Sequence, residues 1–171
     1  DVLGQVNSFL VGVIAGPRKF QTLTKVGTGL TQNQMVFVKN RLANSVVSQP
    51  VGLPAWFDEW TPNKVNRPDV FFDPFVNPVV LEVRASEITP TSDFSSGYQL
   101  RFPRVVKPRT DKDWADTTSA EELREIATAD VDKDRIFIQK IGRPFGGHEA
   151  AEMHATNKQK RVKTICVIGK D

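Results

Sequence analysis

The fold class predicted by the sequence is mainly β: a small barrel with one or two helices, trailed by an irregular basic extension. Three observations predict it. Short runs rich in β-branched residues recur at Ser8–Ile14, Phe20–Val26, Val79–Ala85 and Tyr98–Phe102, each of strand length. One capped amphipathic helix falls among these runs and a second follows them. Beyond residue 128 charged and loop-like stretches replace the strand pattern.

The first two runs flank a turn at Ala15–Lys19 and so read as a hairpin, ended by Gly27-Thr-Gly29. Thr31 then stands three residues before Gln34, the spacing of a capping box, and Met35, Val38 and Leu42 follow on one helical face. Core packing is the expected role of that face. From Val47 to Pro78 six prolines interrupt every helix, with Trp56, Phe57 and Trp60 between them. Glycine and serine are scarce there, so the stretch reads as an irregular connection anchored to the core by its aromatics. Val79, Leu81, Val83 and Ala85 alternate with Val80, Glu82 and Arg84, as a half-buried strand requires. Ser119 and Glu122 form a second capping box, opening a short helix with Leu123 and Ile126 inward. Strands broken by one helix and closed by another suit a Greek-key barrel of the oligonucleotide-binding (OB) type.

These boundaries give a barrel over residues 1–128, its first strand truncated or upstream, and an extension over 129–171. In the extension 136–141 reads as a strand, 142–147 as loop, and Lys158–Lys163 as a basic run leading into an apolar segment. A chain opening on Asp1 rather than methionine is expected to be a fragment of something larger. No apolar run approaches the length of a bilayer span, so no membrane partner is expected. The lone Cys166 excludes an internal disulfide and a cysteine-based zinc site. With no Asn-x-Ser/Thr acceptor present, it favours an intracellular, reducing compartment.

The densest chemistry lies between Gln99 and Lys112, where Arg101, Arg104, Lys107, Arg109 and Lys112 face the single carboxylate of Asp111. The net charge of +3 says less than this clustering. Phe102 sits between two of the arginines, while Pro103 and Pro108 deny the backbone a helix. Cations beside an aromatic wedge suit a ligand with phosphates outside and stacked rings inside, which describes nucleic acid. The plainer reading is an edge strand kept soluble by its charge, with Phe102 in the core.

Other signals fail on spacing. His148 and His154 are six apart where a helical zinc motif needs four. Asp130, Asp132 and Asp134 open like a calcium loop, but Arg135 and Ile141 occupy the positions that need glycine and glutamate. Gly27-x-Gly29 continues to Gln32 where a dinucleotide fingerprint needs glycine. Two histidines give a Ser/His/Asp hydrolase little support. No metal site is assigned.

Arg101-Phe-Pro-Arg104, then Arg109-Thr-Asp-Lys112 and Asp113-Trp114, resemble the signature that closes the OB domain of ATP-dependent DNA ligases. Lys25–Gly29, Pro68–Pro74 and Val80–Ile88 are similar to the family's preceding segments and arrive in its order. The resemblance runs from about Ser8 to Ile126 and leans toward the eukaryotic ligase III and IV branch. It does not cover 129–171, and no lysine here begins the Lys-x-Asp-Gly motif that carries the family's nucleophile.

The resemblance implies roles. Arg101 and Phe102 would meet the minor groove at a nick, with Arg104 and Lys107 holding DNA. Arg109, Asp111 and Lys112 would be catalytic: Arg109 and Lys112 contact the ATP phosphates while Asp111 orients a cation. It further implies ATP and Mg2+ as cofactors of the intact enzyme, not held by this chain alone. The implied partners are nicked double-stranded DNA and the nucleotidyltransferase domain of the same polypeptide, and the implied compartment is the nucleus. Without that domain the chain is expected to be inactive. Rival readings are the OB domain of an mRNA capping guanylyltransferase, a non-catalytic nucleic-acid-binding module, and protein docking through 129–171.

Overall fold

The computed structural model describes residues 3–47, 52–129 and 160–170. Its main sheet is antiparallel, in the order β2-β1-β8-β4-β7, built from Phe9–Ile14 (β1), Phe20–Val26 (β2), Val80–Ala85 (β4), Arg104–Pro108 (β7) and Lys160–Lys170 (β8). The two-residue strand β3, Val70–Phe71, also pairs with β8. A separate pair joins β5, Glu87–Pro90, to β6, Tyr98–Arg101. The long helix α1 spans Gln32–Leu42, and residues 120–129 form a second helix, α2. This is the expected OB barrel. No helix among the described residues is long and apolar enough to cross a membrane.

Local chemistry places the early elements as the sequence predicts. β1 and β2 form the hairpin, with a bulge at Val11/Gly12. Thr31 accepts the Gln34 N–H at 3.1 Å while Gln34 accepts the Thr31 N–H at 3.0 Å, closing the capping box. Val38 and Leu42 are buried, and Met35 packs against the same core. Ser119 likewise accepts the Glu122 N–H at 3.0 Å, and Leu123 and Ala127 turn inward from α2. The proline-rich connection is pinned as expected. Phe57 is buried edge-on to Phe71, and Trp60 stacks between Phe57 and Phe94. Two backbone bonds, Phe20 N–H to Trp56 and Asp58 N–H to Phe20, stitch it to β2.

The division at residue 128 needs correction. The sequence pattern puts residues 160–170 in an irregular extension, yet β8 lies between β1 and β4, hydrogen-bonded to both. Ile165, Cys166, Val167 and Ile168 are all buried, which is why this run is apolar without alternation. A strand buried on both faces reads the same whether central or appended, so the sequence alone does not reveal its place. The expected strand at 136–141, the loop at 142–147 and the start of the basic run fall outside the described residues. Burial also pushes the Cys166 thiol up to about 12, consistent with a packing role.

Two contacts just past β2 close the barrel. The Thr28 carbonyl accepts the Val105 N–H at 2.9 Å, joining the sheet's first edge to its last. Gly29, at φ 111°, lies so near that a Cβ there would collide with the Val105 backbone.

Ile165→Ala is expected to cost about 2–5 kcal/mol in urea unfolding, because it opens a cavity in the central strand. A chain ended at residue 128 should show no cooperative melting, whereas loss of a mere appendage would leave the transition unchanged.

Candidate functional site

The stretch from Gln99 to Lys112 forms the second half of β6, a tight turn, edge strand β7 and the loop after it. Among the described residues β7 pairs only with β4, so the edge-strand reading holds. Its companion, a buried Phe102, does not. Phe102 is 78% exposed and sits at φ 52°, a left-handed conformation that side chains rarely adopt. The Ser86 N–H and hydroxyl both donate to the Arg101 carbonyl, at 2.9 and 3.0 Å, and the Thr28 hydroxyl donates to that of Pro103. These bonds hold the turn while it presents the ring outward. The Arg101 guanidinium lies 5.7 Å from the ring centroid, and Arg104 is exposed on the far side of Pro103. Thr24, Lys25, Thr89 and Gln99 line a groove beside the ring.

A different arrangement occupies the far end of β7. The Arg109 N–H donates to the Val80 carbonyl at 2.7 Å, fixing the backbone against β4. Its Nε and Nη2 reach the two carboxylate oxygens of Asp111 at 3.0 and 2.8 Å, and Nη1 reaches Glu82 at 3.3 Å. Three of the five guanidinium N–H donors are thus engaged, leaving two for a ligand. Hydrogen bonding from Arg109 holds the Asp111 carboxyl well below the usual carboxylate range, and Asp111 in turn raises the guanidinium. A depressed carboxyl loses its contribution only as pH falls through its lowered value, so the pair stays charged through neutral and mildly acidic pH. Lys112 lines the same cleft as Arg109, with Arg41, Phe37, Pro78 and Pro108.

The structure therefore brings Arg109, Asp111 and Lys112 together and gathers Arg101, Phe102 and Arg104 elsewhere. Seven residue steps of extended chain put the two groups on the order of 20 Å apart. Lys107 lies between them, exposed and opposite Glu82 in register. Among the described residues no group of three His, Cys, Asp or Glu side chains could hold a metal ion. Two residues escaped the sequence reading. Glu82 was visible as an outward position of β4, but its partner depends on the β4–β7 register. Arg41, whose Nε donates to the Pro78 carbonyl at 3.0 Å, carries no sequence signal at all.

The structure thus defines a class, an OB barrel with an exposed aromatic at one end of a cationic edge strand and a carboxylate-braced arginine at the other. Comparison with known proteins narrows it. The family described as ATP dependent DNA ligase C terminal region matches residues 3–112. The chain is 39% identical over 113 residues to DNA ligase 4 of Dictyostelium discoideum, covering 64% of the chain and 10% of that protein. Identity to a DNA ligase of Halorubrum lacusprofundi is 38% over 120 residues, covering 70% and 17%. DNA ligase 4 of Arabidopsis thaliana is 30% identical over 174 residues, 96% of the chain and 14% of that relative, so the likeness extends well past residue 128. The chain belongs to the ATP-dependent DNA ligases, as their C-terminal domain, and leans to the ligase III and IV branch. It spans less than a fifth of the length of these relatives.

Phe102→Gly is expected to raise stability by roughly 1 kcal/mol in denaturant titration, since it relieves a left-handed side chain that buries nothing.

Proposed function

We propose that this domain acts in nick sealing through two placements, one for each end of β7. The observation that carries the reading is their separation: an outward ring among arginines at one end, a braced arginine in a cleft at the other. At the first end, Phe102 wedges against the bases of a nicked duplex while Arg101, Arg104 and Lys107 neutralise backbone phosphates. A strained, exposed aromatic is costly to maintain for any purpose but contact.

At the second end, the two remaining Arg109 donors and the Lys112 ammonium hold the β- and γ-phosphates of ATP. ATP supplies the adenylyl group that is transferred to a lysine of the nucleotidyltransferase domain of the same polypeptide. The residues of this chain orient the departing pyrophosphate; Asp111 and Glu82 keep the guanidinium from rotating away. With no carboxylate cluster in the described part of the domain, Mg2+ would be held by that other domain and by the phosphates. One barrel cannot occupy both placements, so the domain swings between them about an inter-domain hinge. Residence in the nucleus and a part in DNA repair accompany this reading. Docking of a protein partner through residues 129–159 is part of this reading, while 160–170 pair within the barrel sheet. The ligase family weighs against a capping guanylyltransferase, and the presence of Arg109 and Lys112 in the cleft argues against a non-catalytic module.

The test uses the ligase polypeptide that carries this domain, with α-labelled ATP and magnesium, followed by nicked duplex. Arg109→Ala should lower label on protein by about 10²–10³-fold yet spare sealing of a pre-adenylylated nick. Phe102→Ala should leave protein labelling near normal and weaken nick binding by about 10–100-fold. Interchanged defects would overturn the assignment. Glu82→Gln should raise the KM for ATP in self-adenylylation with little change in melting temperature or nick affinity; a matching drop in all three would make Glu82 merely structural.

A further inference from the structure

Helix α1 places Arg41 on the wall of the cleft that holds Arg109 and Lys112. Val38 and Leu42 bury the inner stripe of α1. The residues one position earlier, Phe37 and Arg41, are four apart and so share the flank of that stripe. Phe37, Pro78 and Pro108 supply apolar walls to the same cleft. The Arg41 Nε donates to the Pro78 carbonyl at 3.0 Å, and the Arg109 N–H donates to the Val80 carbonyl at 2.7 Å. Both arginines therefore hang from one segment, the entry to β4, with anchor points about 7 Å apart.

The charges of the cleft separate their roles. Arg109 is paired with two carboxylates, Asp111 and Glu82. Taken with Lys112, these side chains carry no net formal charge. A polyphosphate gains direction from such a group but little net attraction. Arg41 is the cation in the cleft that no carboxylate answers. Among the described residues its guanidinium has a carbonyl partner and no ion pair. One of its five N–H donors is engaged, so four remain. A neutral carbonyl holds the side chain in place without discharging it.

The plainer role is structural: a cation in the last turn of α1 complements the helix dipole and ties the helix to the sheet. That role uses one donor. It leaves the unanswered charge, and its place beside Arg109 and Lys112, without a purpose.

We infer that Arg41 is a third phosphate contact of the ATP site, supplied by the helix rather than by the chain after β7, and that it gives the site its net positive charge. This rests on the ATP reading above. It makes Arg41 a determinant of how tightly the triphosphate and the departing pyrophosphate are held, while Arg109 governs how they are oriented.

The experiment measures self-adenylylation of the ligase polypeptide with α-labelled ATP and magnesium, at varied ATP and with added inorganic pyrophosphate. Arg41→Gln should raise the KM for ATP about tenfold. It should raise by a similar factor the pyrophosphate concentration that halves labelling. Arg41→Lys keeps the charge but loses the Nε bond, and should restore most of both. Melting temperature and nick affinity should stay level in each variant. An unchanged KM in Arg41→Gln, beside labelling lost in Arg109→Ala, would sink the third contact and leave the ATP cleft standing. Normal labelling in both would sink both readings. Equal defects in Arg41→Gln and Arg41→Lys with a lowered melting temperature would make Arg41 a tie between helix and sheet, and reject the inference.

Discussion

The barrel depends on the ladder that β8 makes with β1 and β4. Remove that strand and the hairpin β1–β2 shares no ladder with β4–β7 among the described residues, and isolated bonds such as Thr28–Val105 and Thr28–Pro103 are left to join them. With it, the hydrogen-bonded path runs unbroken from β2 to β7. The functional groups inherit their positions from this ladder. Arg109 is fixed by Val80, Glu82 projects from β4, and β4 is itself aligned by β8 from Val80 to Ala85. The main-chain bonds of a central strand, with four consecutive residues buried, thus set the geometry of a site on the edge.

Much of this was legible in the sequence because the determinants are local. The Thr31 capping box, the Ser119 cap, the alternation of β4 and the aromatics of the proline-rich connection need only neighbours in the chain to be recognised. The place of β8 was not legible, because an apolar run carries no mark of which strands flank it. Phe102 shows the same limit in reverse. Its sequence context fits either a core ring or an exposed one, and only the left-handed turn between β6 and β7 decides. Glu82 and Arg41 join the Arg109 cleft across a strand register and a helix–strand approach, neither of which is written in sequence spacing.

On the reading proposed above, the arrangement of charge along β7 lets one short strand serve two tasks without interference. At its far end cations are braced by carboxylates, so the guanidinium is oriented and partly neutralised before any phosphate arrives. At its near end they are left unbraced, so their field reaches outward. Bracing favours directed contact with one group, whereas exposure favours neutralisation of many. The two chemistries differ by the presence of Asp111 and Glu82 rather than by the kind of cation.

The late position of β8 has a consequence for how the barrel is made. Among the described strands the central one comes latest in sequence, and its partners lie far behind it in the chain. Such pairing raises contact order and slows folding. During synthesis β1 and β4 must wait with apolar faces and unpaired edges until Ile165–Ile168 emerges. Chains held in that state offer open strands to one another. The same ladder that fixes the finished site therefore makes the growing chain dependent on protection until β8 is delivered.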